Sequence, residues 1–261
     1  MEVVIRYTPE EATTLAARAI CRLIQEKPHA VLGLATGSTP LLLYHELVRL
    51  HREHRLDFSR VTTFNLDEYV GLSPDDPRSY HHFMQEHFFR HVNIAPERTH
   101  IPDGLARNIP EFCTRYEEEI KAVGGIDIQV LGIGAGGHIG FNEPTSSFAS
   151  RTRIKTLTMS TRKANGRFFD GEDNVPHHAI TMGIGTILEA RQCVLLAFGE
   201  AKAQAVAGAV EGPITAMNPA SSLQLHPRTK VFLDAGAATM LQQTEYYQSA
   251  YDNKPDWLRD A

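Results

Sequence analysis

One histidine and one carboxylate stand five residues apart in GIGAGGHIGFNEP (132–144), a stretch of thirteen residues with five glycines. An imidazole, His138, and a carboxylate, Glu143, can share proton transfer near neutral pH. Glycines let backbone approach a small ligand closely, although the same glycines would serve a loop that only crosses a sheet edge. A second candidate is FNLDEYVG (64–71), an apolar run that ends in paired acids. Asp67 there reads either as a buried base or as a loop acid capping a turn. A third is LATGSTP (34–40), a strand–turn–helix junction. Amides at a helix start and the Ser38 and Thr39 hydroxyls suit a phosphate; an ordinary N-cap fits equally well.

Two other chemistries fit poorly. Gly132, Gly134 and Gly137 form GxGxxG, but Gly140 and Pro144 fall where the helix of a dinucleotide fold should run, and no acid follows Glu143 until Asp170. A ribose-holding acid would be due about 20 residues after the glycines. His87 and His91 are four apart, yet no HExxH accompanies them, so a polar helix face is the simpler reading and no metal is expected.

The elements that must position these residues alternate. Strand-like runs lie at 2–7, 30–35, 61–66 and 126–134, with HAITMGI, QCVLLAF and RTKVFLD later. Helical patterns cover 9–27, a segment with Pro40 in its first turn, 79–92, 109–123, AKAQAVAGAV and a stretch from about Ala237. Several strands are apolar at most positions, as when both faces are buried. We therefore expect an α/β fold, a single-domain, doubly wound, mainly parallel Rossmann-like sheet with helices on both faces, spanning 1–261. All three candidate stretches fall at strand carboxyl ends, where such folds bind ligands.

The chain has 261 residues, 42% of them apolar, and a formal net charge of −5. That balance argues against nucleic acid or an anionic membrane as the main partner. The three cysteines, Cys21, Cys113 and Cys193, are odd in number and far apart, which fits reduced thiols in the cytoplasm. No leader or membrane-spanning segment is expected.

Taken together, TFNLDEYVGL, GHIGFNEP, SSFASRTRIKTLT, ANGRFF and SSLQLHP occur in the order and spacing of one family. The chain resembles the glucosamine-6-phosphate deaminases, the isomerising deaminases of amino-sugar catabolism. The resemblance implies conversion of glucosamine 6-phosphate and water to fructose 6-phosphate and ammonia, with no cofactor. It implies that Asp67 takes the C2 proton and returns one at C1 through an enolamine. It implies that His138 opens the sugar ring with Glu143 orienting it. Gly37, Ser38, Thr39, Arg167 and Lys202 would hold the phosphate, and a mobile lid would span 160–185.

Hexameric members carry an allosteric site for N-acetylglucosamine 6-phosphate. Ser146, Arg153, Lys155 and Thr156 match it, and Tyr246 and Tyr247 compete for its tail tyrosine. Shorter relatives are monomers, so the resemblance leaves both states open. Many members have Asp, and some Asn, where this chain has Gly136; Glu143 or water is expected in that place. A 6-phosphogluconolactonase, of related fold, and a non-catalytic sugar-phosphate sensor are the rival readings.

Overall fold

The structure is a computed structural model that describes residues 1–255; the last six residues of the expected domain lie outside it. The chain runs β1 (Glu2–Arg6), α1 (Pro9–Glu26), β2 (Val31–Leu34), α2 (Ser38–His54), β3 (Thr62–Asn65), β4 (Asp67–Tyr69), α3 (Tyr80–His87), β5 (Thr99–His100) and α4 (Ile109–Ala122). It continues through β6 (Ile128–Gly132), β7 (Arg153–Thr156), α5 (Met159–Asn165), β8 (His178–Thr181), α6 (Ile184–Leu188), β9 (Gln192–Ala197), α7 (Ala203–Val210), β10 (Thr229–Asp234) and α8 (Thr244–Asp252).

Seven strands form one parallel sheet in the order β1-β10-β9-β6-β2-β3-β5. The expected parallel sheet is there, and its physical cause is visible. Every residue of β2 and β3 is buried, because helices cover both faces. One apolar cluster joins α1 and α2 to the sheet through Ala16, Ile20, Leu43 and Leu47. A second cluster covers the other face through Tyr116, Ile187, Val206 and Leu223. From β2 the chain moves outward to β3 and β5, then returns to place β6 on the other side of β2. The crevice at that reversal, above the carboxyl ends of β2, β3 and β6, is where such a sheet binds ligands.

A second sheet, antiparallel and ordered β4-β8-β7, was not legible in the sequence. HAITMGI supplies β8, which therefore joins this small sheet and not the large one. Leu66 is the hinge between the sheets: its amide donates to Leu34 O and its carbonyl accepts from Met182 N. β4 is only three residues long and directly follows β3, so the apolar run hides the break.

Two helix boundaries also differ from expectation. The helix read at 79–92 stops at His87 and gives way to a 3-10 turn, Phe89–His91. The C-terminal helix begins at Thr244, not near Ala237. The Asp234 carboxylate accepts from the amides of Gly199 and Ala237, which ties that segment into turns at the end of β10. Among the described residues no helix is long and apolar enough to cross a membrane.

Candidate active site

A cavity of about 490 Å³ opens at the crevice, lined by all three candidate stretches. Asp67, His138, Gly37, Ser38, Thr39, Arg167 and Lys202 all face it. Glu143 does not line it but stands behind the histidine.

Asp67 begins β4, opposite Thr181 of β8. The turn from one sheet into the other aims its carboxylate at the cavity. It is 6% exposed. Burial pushes its pKa from an ordinary 3.8 up to about 8, and the adjacent Glu68 charge adds to the rise. Glu68 itself points the other way. Its carboxylate accepts from the amides of Tyr69, Tyr80 and His81 and so caps the start of α3. The paired acids thus divide into one poised group and one structural group. A base whose pKa lies near working pH is the better proton shuttle.

His138 sits on a tight turn in which the Gly134 amide donates to the His138 carbonyl and the Gly137 amide to the Gly134 carbonyl. The turn folds the imidazole back over Gly134. A Cβ at residue 134 would lie 2.1 Å from ring atoms Cε1 and Nε2, so this glycine is the floor on which the ring rests. Beyond it, the Asn142 side chain donates to Ile139 O and Met182 O and pins GFNEP to β8. That brings Glu143 Oε2 to 3.6 Å from His138 Nδ1. Glu143 is 3% exposed. The His138 pKa is lowered, first by burial and further by the Lys202 charge, while Glu143 opposes the fall. A neutral imidazole at neutral pH follows.

Gly136 differs from Gly134. A Cβ there would meet no atom within 4 Å, and Glu143 is the carboxylate that faces the ring. Gly136→Asp should therefore fold like the wild type. A carboxylate brought near His138 should raise the histidine's pKa, which moves the acidic limb of the pH–rate profile upward only where His138 and not Asp67 is its limiting base, and should raise activity at most about tenfold, roughly 1.4 kcal/mol of barrier. A profile followed from pH 5 to 9 checks this; wild type inactive on hexosamine phosphates but rescued by Gly136→Asp would mark position 136 as a disabling change.

On the wall of the same cavity α2 begins at Ser38 with Gly37 as its N-cap, at φ 112°, and no side chain caps its amides. A helix start with free N–H groups is an anion site. Arg167 and Lys202 line the same cavity. The Lys202 pKa is lowered, first by burial and then by the Arg167 charge. Two cations that repel across a shared space favour an anion between them.

Sequence reasoning missed Arg78, Tyr80, Asn165 and Phe169, which also line the cavity. Arg78 is held by both Asp76 carboxylate oxygens, and its guanidinium lies 5.6 Å from the Phe169 ring centroid. The segment expected as a lid is two things. Residues 159–174 form α5 and two short 3-10 turns, while 178–185 form β8 and the start of α6. Ala179, Ile180 and Thr181 of β8 are fully buried.

The residues matching the allosteric pattern lie elsewhere. Arg153 and Lys155 share the more buried face of β7, and Thr156 lies on the exposed one. Burial lowers the Arg153 pKa. Ser146 is buried and its hydroxyl donates to Glu143 O at 2.7 Å. The Tyr247 hydroxyl donates to Glu211 of its own chain, while Tyr246 is exposed.

Comparison with known proteins fits this geometry. Residues 8–232 match the family model of glucosamine-6-phosphate isomerases/6-phosphogluconolactonase. The chain is 54% identical over 257 residues to a glucosamine-6-phosphate deaminase of Arthrobacter sp. (strain FB24), covering 98% of this chain and 99% of the relative. A solved structure of a monomeric glucosamine-6-phosphate deaminase superposes with a TM-score of 0.90 at 50% identity, covering 92% of this chain and 100% of that one. A 6-phosphogluconolactonase from Leishmania guyanensis shares the fold, with a TM-score of 0.72 at 22% identity over 91% of this chain and 97% of that one. With a matched segment that holds every strand of the large sheet except β1 and the end of β10, and all the residues that line the cavity, the chain belongs to the glucosamine-6-phosphate isomerase/6-phosphogluconolactonase family.

Proposed function

We propose that this protein converts glucosamine 6-phosphate and water to fructose 6-phosphate and ammonia. The observation that carries the reading is Asp67: a buried carboxylate with a raised pKa, facing a cavity that is also lined by an uncapped helix start and by two cations. The phosphate docks on the amides and hydroxyls of Gly37, Ser38 and Thr39, with Arg167 and Lys202. That grip fixes the sugar carbons near Asp67. His138, oriented by Glu143, moves the proton that opens the ring. Asp67 removes the C2 proton of the open chain and returns a proton to C1, which leaves an imine at C2. Water hydrolyses that imine and releases ammonia.

A lactonase acts by hydrolysing an ester and has no use for a base beside an amine-bearing carbon. Relatives named as deaminases at 50–54% identity favour the deaminase over that reading, since the lactonase structure that shares the fold is only 22% identical. The segment 158–177 is the part of the chain we take as a lid, since it brings Asn165, Arg167 and Phe169 to the cavity from outside the large sheet. Together with the rest of the chain it forms one domain in this reading. We take the protein to act in the cytoplasm, as a monomer in line with the deaminase of the superposed structure. The test is incubation with glucosamine 6-phosphate while ammonia and fructose 6-phosphate are measured together. Equal yields are expected; ester hydrolysis of 6-phosphogluconolactone without ammonia release from the amino sugar would overturn the reading.

Lys202→Ala is expected to raise the KM for glucosamine 6-phosphate by about 10- to 100-fold, since one lost charge-assisted contact costs about 1.5–3 kcal/mol. Residual activity on unphosphorylated glucosamine should not change. Steady-state kinetics on both sugars decide it: equal losses on both would remove Lys202 from the phosphate site.

A further inference from the structure

The two oxygens of Glu143 have different neighbours. Oε2 faces His138 Nδ1 at 3.6 Å. Oε1 accepts from the Thr158 backbone N–H and from the Thr158 hydroxyl, both at 3.1 Å. Thr158 is no part of the cavity wall. It is the N-cap of α5, where its hydroxyl oxygen accepts from Thr161 N at 3.2 Å. The same oxygen lies 2.9 Å from Ser160 Oγ and 3.1 Å from Thr161 Oγ1. A hydroxyl has a single proton to give. The carboxylate is the strongest acceptor in reach, so the proton goes to Glu143, and the two lone pairs accept from Thr161 N and from one of the two neighbouring hydroxyls.

The terminal torsion of a glutamate is soft, and a carboxylate does not choose its own plane. Two donors on one oxygen choose it. We infer that Thr158 is a positioning residue for the reaction: it fixes Glu143 Oε1 so that Oε2 stays on His138, and it ties that alignment to the folded start of the segment that carries Asn165, Arg167 and Phe169. The inference rests on the ring-opening role proposed for His138. It predicts that the cap and the histidine respond together, although fifteen residues separate Thr158 from Glu143.

The charges acting on His138 are Glu143 and Lys202. Thr158→Val keeps shape and backbone N–H but removes the hydroxyl. Thr158→Ser restores it. Ala164→Gly is an exposed change within α5 that weakens the helix without touching Glu143. In the full chain without substrate, the His138 titration followed by NMR is expected to fall by about half a pH unit or more in Thr158→Val. On glucosamine 6-phosphate, kcat should fall about tenfold, part of what a general acid–base group contributes, with KM changed less than about twofold. Thr158→Ser should return both values, and Ala164→Gly should leave the titration where it was. An unmoved or raised His138 titration in Thr158→Val, or an equal fall in Ala164→Gly, overturns the inference. Failure of the wild type to release ammonia would instead overturn the deaminase reading, because the titration is read without turnover.

Discussion

Asp67→Asn will lose about 10²- to 10⁴-fold in kcat and yet be the more stable protein above neutral pH. The activity loss is that of a general base. The stability gain follows from the raised pKa. Asp67 in the fold titrates at about 8, against an ordinary 3.8. A group raised in the fold contributes its full stability below the unfolded value and loses it as pH rises through the folded value. Between pH 4 and 8 the wild type therefore pays a growing cost for a buried carboxylate, and above 8 the cost is constant. Asparagine never ionises. At about 1.4 kcal/mol per unit the difference reaches on the order of 5 kcal/mol at high pH and vanishes near pH 4. Thermal melts of both proteins at pH 4, 7 and 9 check this: a gap that widens with pH is expected, and a constant gap would mean that Asp67 is not held protonated. The same poise predicts that kcat/KM of the wild type rises with pH through about 8, as the free enzyme gains its base.

Gly134→Ala should be nearly as damaging, for a steric reason. A methyl at 134 would occupy the place of the His138 imidazole. Backbone strain is not the issue, because Gly134 is not among the glycines at positive φ. The ring must swing away from its place against Glu143, and kcat should fall about 10²-fold or more while the melting temperature changes little. Gly136→Ala, two residues on, meets open space and should keep activity within about twofold. Equal kinetics for the two alanine variants would contradict the placement of the histidine ring.

This contrast marks how far the sequence could be read. That Asp67, His138 and the GSTP turn would meet at one cavity was legible because ligands bind at strand carboxyl ends in parallel sheets, and apolar runs locate those ends. The five glycines at 132–140 look alike in the sequence; only the backbone path shows that Gly134 supports a ring and Gly136 supports nothing. The small antiparallel sheet escaped because β4 continues an apolar run and β7, RIKT, is half exposed with no strong alternation of type. Arg78 and Thr158 escaped for another reason. Each acts through a partner distant in sequence, Phe169 and Glu143, and periodicity carries no information about such contacts.

Asp67, in this reading, takes a proton from one sugar carbon, exchanges it with solvent and returns a proton to the neighbouring carbon. Incubation of fructose 6-phosphate and ammonium with the wild type in deuterated water tests it most directly. One of the two C1 hydrogens is expected to disappear from the proton NMR spectrum while the signals of C3 to C6 remain, and Asp67→Asn is expected to leave both C1 hydrogens in place over the same time. A wild type that forms glucosamine 6-phosphate with both C1 hydrogens of the ketose pool intact, or an Asp67→Asn variant that exchanges at the wild-type rate, would contradict it.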